Sequence, residues 1–264
     1  MNKFNIENYL NSLPEDTRII NLFRKKINYL PDLSKFKKLE VLICSYNQLT
    51  FLPKLNKKLK TLDCSNNKLT FLPKLNKNLL NLDCSRNKLT SLPKLNQKLQ
   101  NLECCFNKLV SLPSLNTNLQ YLLCFYNQLV SLPKLNKKLQ NLQCSNNNLT
   151  FLPSLNKNLL YLSCCNNNLN YLPYINDNLR QIIYKNNPIY EVINSNCLHI
   201  IKEKIKILNN FRILYYCLKY KPHFKHLLWV KIREPKIIKK YHPSYLTENI
   251  DEETNINTFV DNWI

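Results

Sequence analysis

Residues 59–78 read LKTLDCSNNKLTFLPKLNKN, and residues 79–98 read LLNLDCSRNKLTSLPKLNQK. Aligned without a gap, the two stretches share leucine at five places, with cysteine, asparagine and proline each at a fixed place between them. The same marks continue in both directions. Cys44, Cys64, Cys84, Cys104, Cys124, Cys144 and Cys164 stand twenty residues apart. Asn47, Asn67, Asn87, Asn107, Asn127, Asn147 and Asn167 each follow a cysteine by three, and Asn187 continues the series. Proline recurs at the same interval from Pro53 to Pro173. The unit L-x-x-L-x-C-x-x-N-x-L-x-x-L-P-x-L-N-x-x therefore runs seven times through residues 39–178. A looser 22-residue copy begins at Thr17, with Ile20, Leu22, Ile27, Leu30 and Pro31, and a truncated one begins at Leu179. Self-similarity at such a period marks a stack of repeats, here about nine coils over residues 17–194.

The unit explains itself physically. Within L-x-x-L-x-C the inward residues, Leu62 and Cys64 in the second regular copy, lie two apart, which is strand alternation. Each coil then contributes one short strand, paired in parallel with its neighbours about 4.8 Å away. One coil cannot bury enough apolar surface to offset the entropy of ordering twenty residues, so the coils must stack. Proline keeps the return segment extended, as a coil too short for a helix on its back requires. The asparagine ladder is expected to turn inward and bond the backbone of adjacent coils.

This pattern resembles the leucine-rich repeat, with cysteine in place of the third leucine. The L-P-x-L segment and short period resemble the bacterial-type class found in secreted effectors. The resemblance implies a leucine-rich-repeat solenoid of the α/β horseshoe class, mostly β with an extended convex side. Residues 1–16 read as an N-terminal cap with an acidic turn at Glu15-Asp16. Residues 195–264 read as a helical C-terminal cap and tail. Leu198, Ile201, Ile205, Leu208, Phe211, Tyr215 and Leu218 recur at helical spacing in that tail, and Pro222 ends the helix. A second apolar stretch, Phe224 to Ile232, and a short helix near Phe259, Val260 and Trp263 follow. The basic segment from Arg233 to Pro243, followed by an acidic stretch and a terminal Trp, resembles the tail of repeat proteins of giant amoebal viruses, Mimivirus above all. That resemblance implies a virus-encoded protein acting in the host cell, and it brings no catalytic residue.

Glycine is absent from the chain. Phosphate cradles of the P-loop and Rossmann kinds, and the nucleophile elbow of serine hydrolases, all need it, so these chemistries are excluded. Alanine is absent too, while Asn, Lys, Ile and Tyr abound, a bias that A- and T-rich codons produce. The net charge of +21 is read with that in mind. A basic surface attracts nucleic acid, anionic membrane or acidic proteins without choosing among them. The first ten residues form no secretory signal, and no stretch is long and apolar enough to span a bilayer. An intracellular location in host cytoplasm, a monomer and no cofactor are the corresponding expectations.

Eleven cysteines invite a metal or redox reading. Zinc wants four ligands converging tetrahedrally, whereas one thiol per coil forms a row, so cysteine here reads as a small buried hydrophobe and no metal is assigned. Cys105 and Cys165 each add a thiol expected to point outward. His223 and His226, with Cys217 upstream, lack a fourth ligand.

Function in a solenoid is read from residues the repeat does not dictate. With the first leucine as position one, positions three, five, seven and eight are expected on the concave face. Position five stacks Asp63, Asp83 and Glu103 in one column. Beside it fall Phe106, Tyr121, Leu123, Phe125 and Tyr126, with Tyr161 further on, an expected apolar and aromatic patch. Two readings stand: a concave zone binding a protein with basic and apolar groups, or chance clustering in drifting repeats. The lysines occupy other positions, at Lys54, Lys74, Lys94 and Lys134, at Lys57, Lys77, Lys137 and Lys157, and at Lys68, Lys88 and Lys108. These belong to the convex side and the loop edge, where a solvated face competes with binding of nucleic acid or an anionic surface. No aromatic residue was expected to interleave with those rows. The leading function is a non-catalytic protein–protein interaction module. An adaptor or effector linked to host ubiquitination is the alternative. Ligase effectors with similar repeats carry a C-x-D motif, and no cysteine here is followed two residues later by Asp.

Overall fold

The structure is a computed structural model that describes residues 4–219. Nine strands, β1 to β9, form one parallel sheet in sequence order. β1 is Ile19–Asn21 and β2 is Val41–Ile43, and Thr61–Asp63, Asn81–Asp83, Asn101–Glu103, Tyr121–Leu123, Asn141–Gln143, Tyr161–Ser163 and Gln181–Ile183 follow as β3 to β9. This is a solenoid: each strand pairs only with the strands of the coils before and after it. The register is exact from coil to coil, for example Thr61 opposite Asn81 and Leu62 opposite Leu82. The middle residue of each strand from β1 to β8 is buried, as are the cysteines at position six and the leucines at positions one and eleven.

The asparagine at position nine ties two coils together. Asn107 donates through Nδ2 to the carbonyls of Cys104 and Cys105 in its own coil and of Cys84 in the preceding one. Its Oδ1 accepts from the Leu89 N–H at 3.0 Å. The pattern starts with Asn47, which reaches Leu22 and Ile27 in the degenerate first coil. It ends with Asn187, which accepts from Leu169 and donates to Cys164, Tyr184 and Lys185. A second ladder runs along the back at position eighteen. Asn76 donates to the carbonyls of Asn56 and Leu59, and Asn96, Asn116, Asn136, Asn156 and Asn176 repeat the same pair of bonds one coil on. The extended back has no helix to satisfy its peptide groups, so side-chain amides supply the partners.

The ends differ from the repeats. Helix α1, Ile6–Ser12, is capped by Asn5, whose side chain accepts from the Asn8 N–H, and buries Ile6 and Leu10. Lys35 Nζ donates to the Leu10 carbonyl at its C-terminus. In the last coil the return segment is replaced by helix α2, Pro188–Ile193, with proline in its first turn and Ile189 and Ile193 buried. Tyr184 stands where earlier coils have cysteine, fully buried, and its hydroxyl donates to the Ser195 carbonyl. Helix α3, Leu198–Lys219, follows. The chain divides into two compact units, residues 1–207 and 208–264. Along α3, Ile201 and Ile205 are buried whereas Phe211 and Tyr215 are exposed, so the expected apolar stripe is buried in its first turns and open further on. The readings made for the stretch from Tyr220 onward, and for the Cys217 side chain, lie outside the described residues. No described helix is long and apolar enough to cross a membrane.

Candidate functional site

Exact register puts positions three and five of successive coils in straight columns on the strand face. Asp63 pairs with Asp83, Asp83 with Glu103, and Glu103 with Leu123. A trough of about 540 Å³ opens along this face, and Asp63, Asp83, Glu103, Tyr121 and Leu123 all line it. Asp63 accepts from the hydroxyls of Ser45 and Ser65 and from the Ser65 N–H. Asp83 accepts from the Ser85 N–H. None of the three carboxylates forms an ion pair among the described residues. Burial raises the pKa of Asp83 above the ordinary carboxylate value, and the charge of Asp63 adds to it, while the Ser85 hydrogen bonds oppose the rise. Glu103 is raised too, by burial first and then by the charges of Asp83 and Asp63.

The position-three column contributes acceptors as well. Asn81 donates to Thr61 Oγ1, and Asn101 donates to Asn81 Oδ1. The relay stops there, because Tyr121 rather than a further asparagine stands in the next coil. Asn101 Oδ1, and Asn141 Oδ1 on the other side of Tyr121, are buried acceptors without a hydrogen bond. Both residues line the trough. A buried acceptor without a donor costs about 1–3 kcal/mol.

Positions seven and eight do not line the trough. Every residue at position eight from Tyr46 to Asn186 has a positive φ, between 51° and 57°. The chain bends sharply there, and the position-eight N–H bonds to the position-seven carbonyl of the next coil, as Tyr46 does to Ser65. At position seven Ser45, Ser65 and Cys105 are buried, while Ser85, Phe125, Ser145 and Cys165 are half-buried. The Cys105 thiol therefore does not point outward, and burial pushes its pKa up to about 12. Cys165 is half-buried. The ladder thiols are fully buried in their row, and burial raises every one of them, which leaves them poor nucleophiles and poor ligands.

Asparagine tolerates the left-handed bend and occupies position eight at Asn66, Asn146, Asn166 and Asn186. Arg86, Phe106 and Tyr126 hold the same backbone at a cost of about 1–2 kcal/mol each. Their side chains stack on one another. The Arg86 guanidinium lies 4.1 Å from the Phe106 ring centroid, and Phe106 stacks on Tyr126 at 4.5 Å with 11° between planes. Phe125 meets both rings edge-on. Of the expected patch, Tyr121 and Leu123 line the trough with the carboxylates, and Phe106, Phe125 and Tyr126 contact one another. Tyr161 is half-buried on β8 and does not line the trough. Repeat position alone puts Arg86, Asn101 and Asn141 on the concave side, but nothing else in the sequence singles them out. The signal for Arg86 was its shared repeat position with Phe106 and Tyr126.

The back also departs from expectation, since aromatic residues do interleave with the lysines. Phe51, Phe71 and Phe151, all at position thirteen, are 46%, 56% and 42% exposed.

A family model for leucine-rich repeats (two copies) matches residues 37–77. No curated protein sequence matches the chain. Among solved structures, YopM from Yersinia enterocolitica WA-314 is similar at 31% identity over 65% of this chain and 42% of that one, with a TM-score of 0.56. The leucine-rich effector YopM from Yersinia pestis is similar at 27% identity over 69% and 57%, with a TM-score of 0.61. A chain from the octameric complex of Latrophilin 3, Unc5D and FLRT2 shares the fold alone, at 19% identity, 68% and 73% coverage and a TM-score of 0.51. This chain spans about half the length of the two YopM structures. Its fold is a leucine-rich-repeat solenoid with bacterial effector proteins among its structural neighbours.

Proposed function

We propose that this leucine-rich-repeat solenoid is a non-catalytic module that holds a partner protein on its strand face. The partner presents a segment carrying Lys or Arg beside an aromatic or aliphatic side chain. One observation carries the reading: three carboxylates stand in one straight column along the trough. Asp63, Asp83 and Glu103 line it in register in a chain of net charge +21. Such a floor attracts cationic donors and repels the anions that the rest of the surface attracts. Tyr121 and Leu123 continue the floor and offer apolar contact to a neighbouring side chain. The Arg86–Phe106–Tyr126 stack offers further cation and ring contacts to a longer segment. Tyr161 sits beyond the trough and would touch only a longer segment.

The effector-like neighbours and the resemblance of the tail to giant-virus proteins support a virus-encoded effector acting on a host protein in the host cytoplasm. An adaptor role toward host ubiquitination fits within this reading, with the strand face as the recruiting surface.

Selection of random peptides displayed on phage against the full chain tests it. Recovered peptides should pair Lys or Arg with an aromatic or aliphatic residue. A variant with Asp63→Asn, Asp83→Asn and Glu103→Gln should bind them at least about ten-fold more weakly, a loss of roughly 1.4 kcal/mol. Peptides lacking basic residues, or equal affinity for the variant, would refute the proposal.

A further inference from the structure

We propose that the back of the repeats docks on an anionic lipid surface through a seam of exposed apolar side chains set between rows of lysine. The seam consists of Phe51, Phe71, Val110, Val130 and Phe151, all between 42% and 57% exposed. They occupy positions twelve and thirteen of their coils. Those positions are in register from coil to coil, because the position-ten N–H of each coil bonds to the position-eleven carbonyl of the one before, as Lys88 does to Leu69 and Lys108 to Leu89. Six coils stacked at about 4.8 Å place the seam along a line of roughly 24 Å.

The repeat itself does not ask for apolar residues there. The equivalent places in other coils hold Ser91, Ser111 and Ser131, or Thr70 and Thr90, and the fold is unchanged. Packing therefore does not account for the phenylalanines, and exposed apolar rows on a folded surface mark contact sites. Lysines flank the seam on both sides. Lys68, Lys88 and Lys108 stand at position ten, and Lys54, Lys74, Lys94 and Lys134 at position sixteen, all exposed. No carboxylate lies between those positions: the acidic residues of the seven regular coils are Glu40, Asp63, Asp83, Glu103 and Asp177.

Apolar side chains at the level of the acyl boundary with lysines at the headgroups is how peripheral proteins hold anionic membranes. Single-stranded nucleic acid would also use lysine and aromatic rings, by stacking bases. Val110 and Val130 offer no ring to stack on, so the lipid reading accounts for the whole seam and the nucleic-acid reading for part of it.

Vesicle sedimentation with the full chain decides. Vesicles of phosphatidylcholine with about one-third phosphatidylserine should bind it, and pure phosphatidylcholine vesicles should not. Replacing the three phenylalanines with the residue the repeat uses elsewhere, Phe51→Ser, Phe71→Ser and Phe151→Ser, should leave the melting temperature near wild type and weaken vesicle binding at least about ten-fold. The strand-face variant Asp63→Asn, Asp83→Asn, Glu103→Gln should sediment as wild type does, which keeps this proposal separate from the one above. Failure to bind anionic vesicles, or serine variants that bind as tightly as wild type, would overturn it. So would a labelled polyuridine strand that binds through the phenylalanines while vesicles do not.

Discussion

The strand face and the back of this solenoid are built from the same twenty-residue unit, yet they sort charge in opposite ways. From β2 to β8 the strand face carries Asp63, Asp83 and Glu103 and no lysine. The back, from position ten to position sixteen, carries lysine rows and no carboxylate. Codon bias raises the number of lysines, but it does not choose which side of a coil they occupy. The segregation therefore belongs to the folded surface, where like charges gather on one wall and repel the same partners together. The apolar side chains divide similarly, with Tyr121 and Leu123 on the strand face and Phe51 and Phe71 on the back.

That comparison presupposes exact register, so breaking the register gives the largest effect. Asn107→Ala removes the link between two coils and leaves the Leu89 N–H and the Cys84 carbonyl without that partner. The expected loss is about 1–3 kcal/mol. Thermal unfolding should show it as a fall of about 2–4 °C per kcal/mol. A melting temperature equal to wild type would mean that the ladder does not hold the columns in place.

Acid sharpens the contrast between the faces. Asp83 and Glu103 have folded-state pKa values above their unfolded ones, by burial first, with the charge of Asp63 adding to both and that of Asp83 to Glu103. Between the ordinary carboxylate value near 4 and the raised folded value, the folded chain therefore binds more protons than the unfolded one, and these groups make stability fall as pH rises through that window. Asp83→Asn with Glu103→Gln should flatten this part of the pH profile and raise the melting temperature at neutral pH. A basic peptide in the trough should bind less well as pH falls, because protonation removes its counter-charge. An unchanged profile in the double variant would sink the assignment.

The smallest effect belongs to the back. Phe51→Ser alone should alter stability by no more than about 0.5 kcal/mol, as exposed substitutions do. A larger loss, measured by denaturant titration, would make Phe51 a packing residue and dissolve the distinction between the faces.

Much of the fold was legible because its cause is local and repeated. Spacing alone placed Leu62 and Cys64 on one side of a strand, and β3 lies there. The degenerate first coil was legible as well: Ile20, Leu22, Ile27 and Leu30 are all buried. The strand-face columns at positions three and five follow from the same alternation, which is why Asp63, Asp83 and Glu103 could be aligned on paper. The outward thiol at Cys105 could not be read correctly, because alternation ends where the left-handed bend begins. Nothing in a leucine pattern announces a positive φ when glycine is absent. The helix α2 in the last coil was also missed, since Asn187 and Ile189 continue the repeat marks while the chain no longer has a following coil to bond.

What the sequence determined by itself is the period, the inward residues and hence the solenoid, because burying leucine every few residues with a fixed phase admits only stacking. What the tertiary structure decided is which outward residues share a surface. Phe106 meets Arg86 and Tyr126, Tyr121 joins the carboxylates, and Phe51 lines up with Phe71, each across twenty residues or more of chain. Those neighbours are set by the register between coils, a relation between distant backbone groups that no local pattern contains.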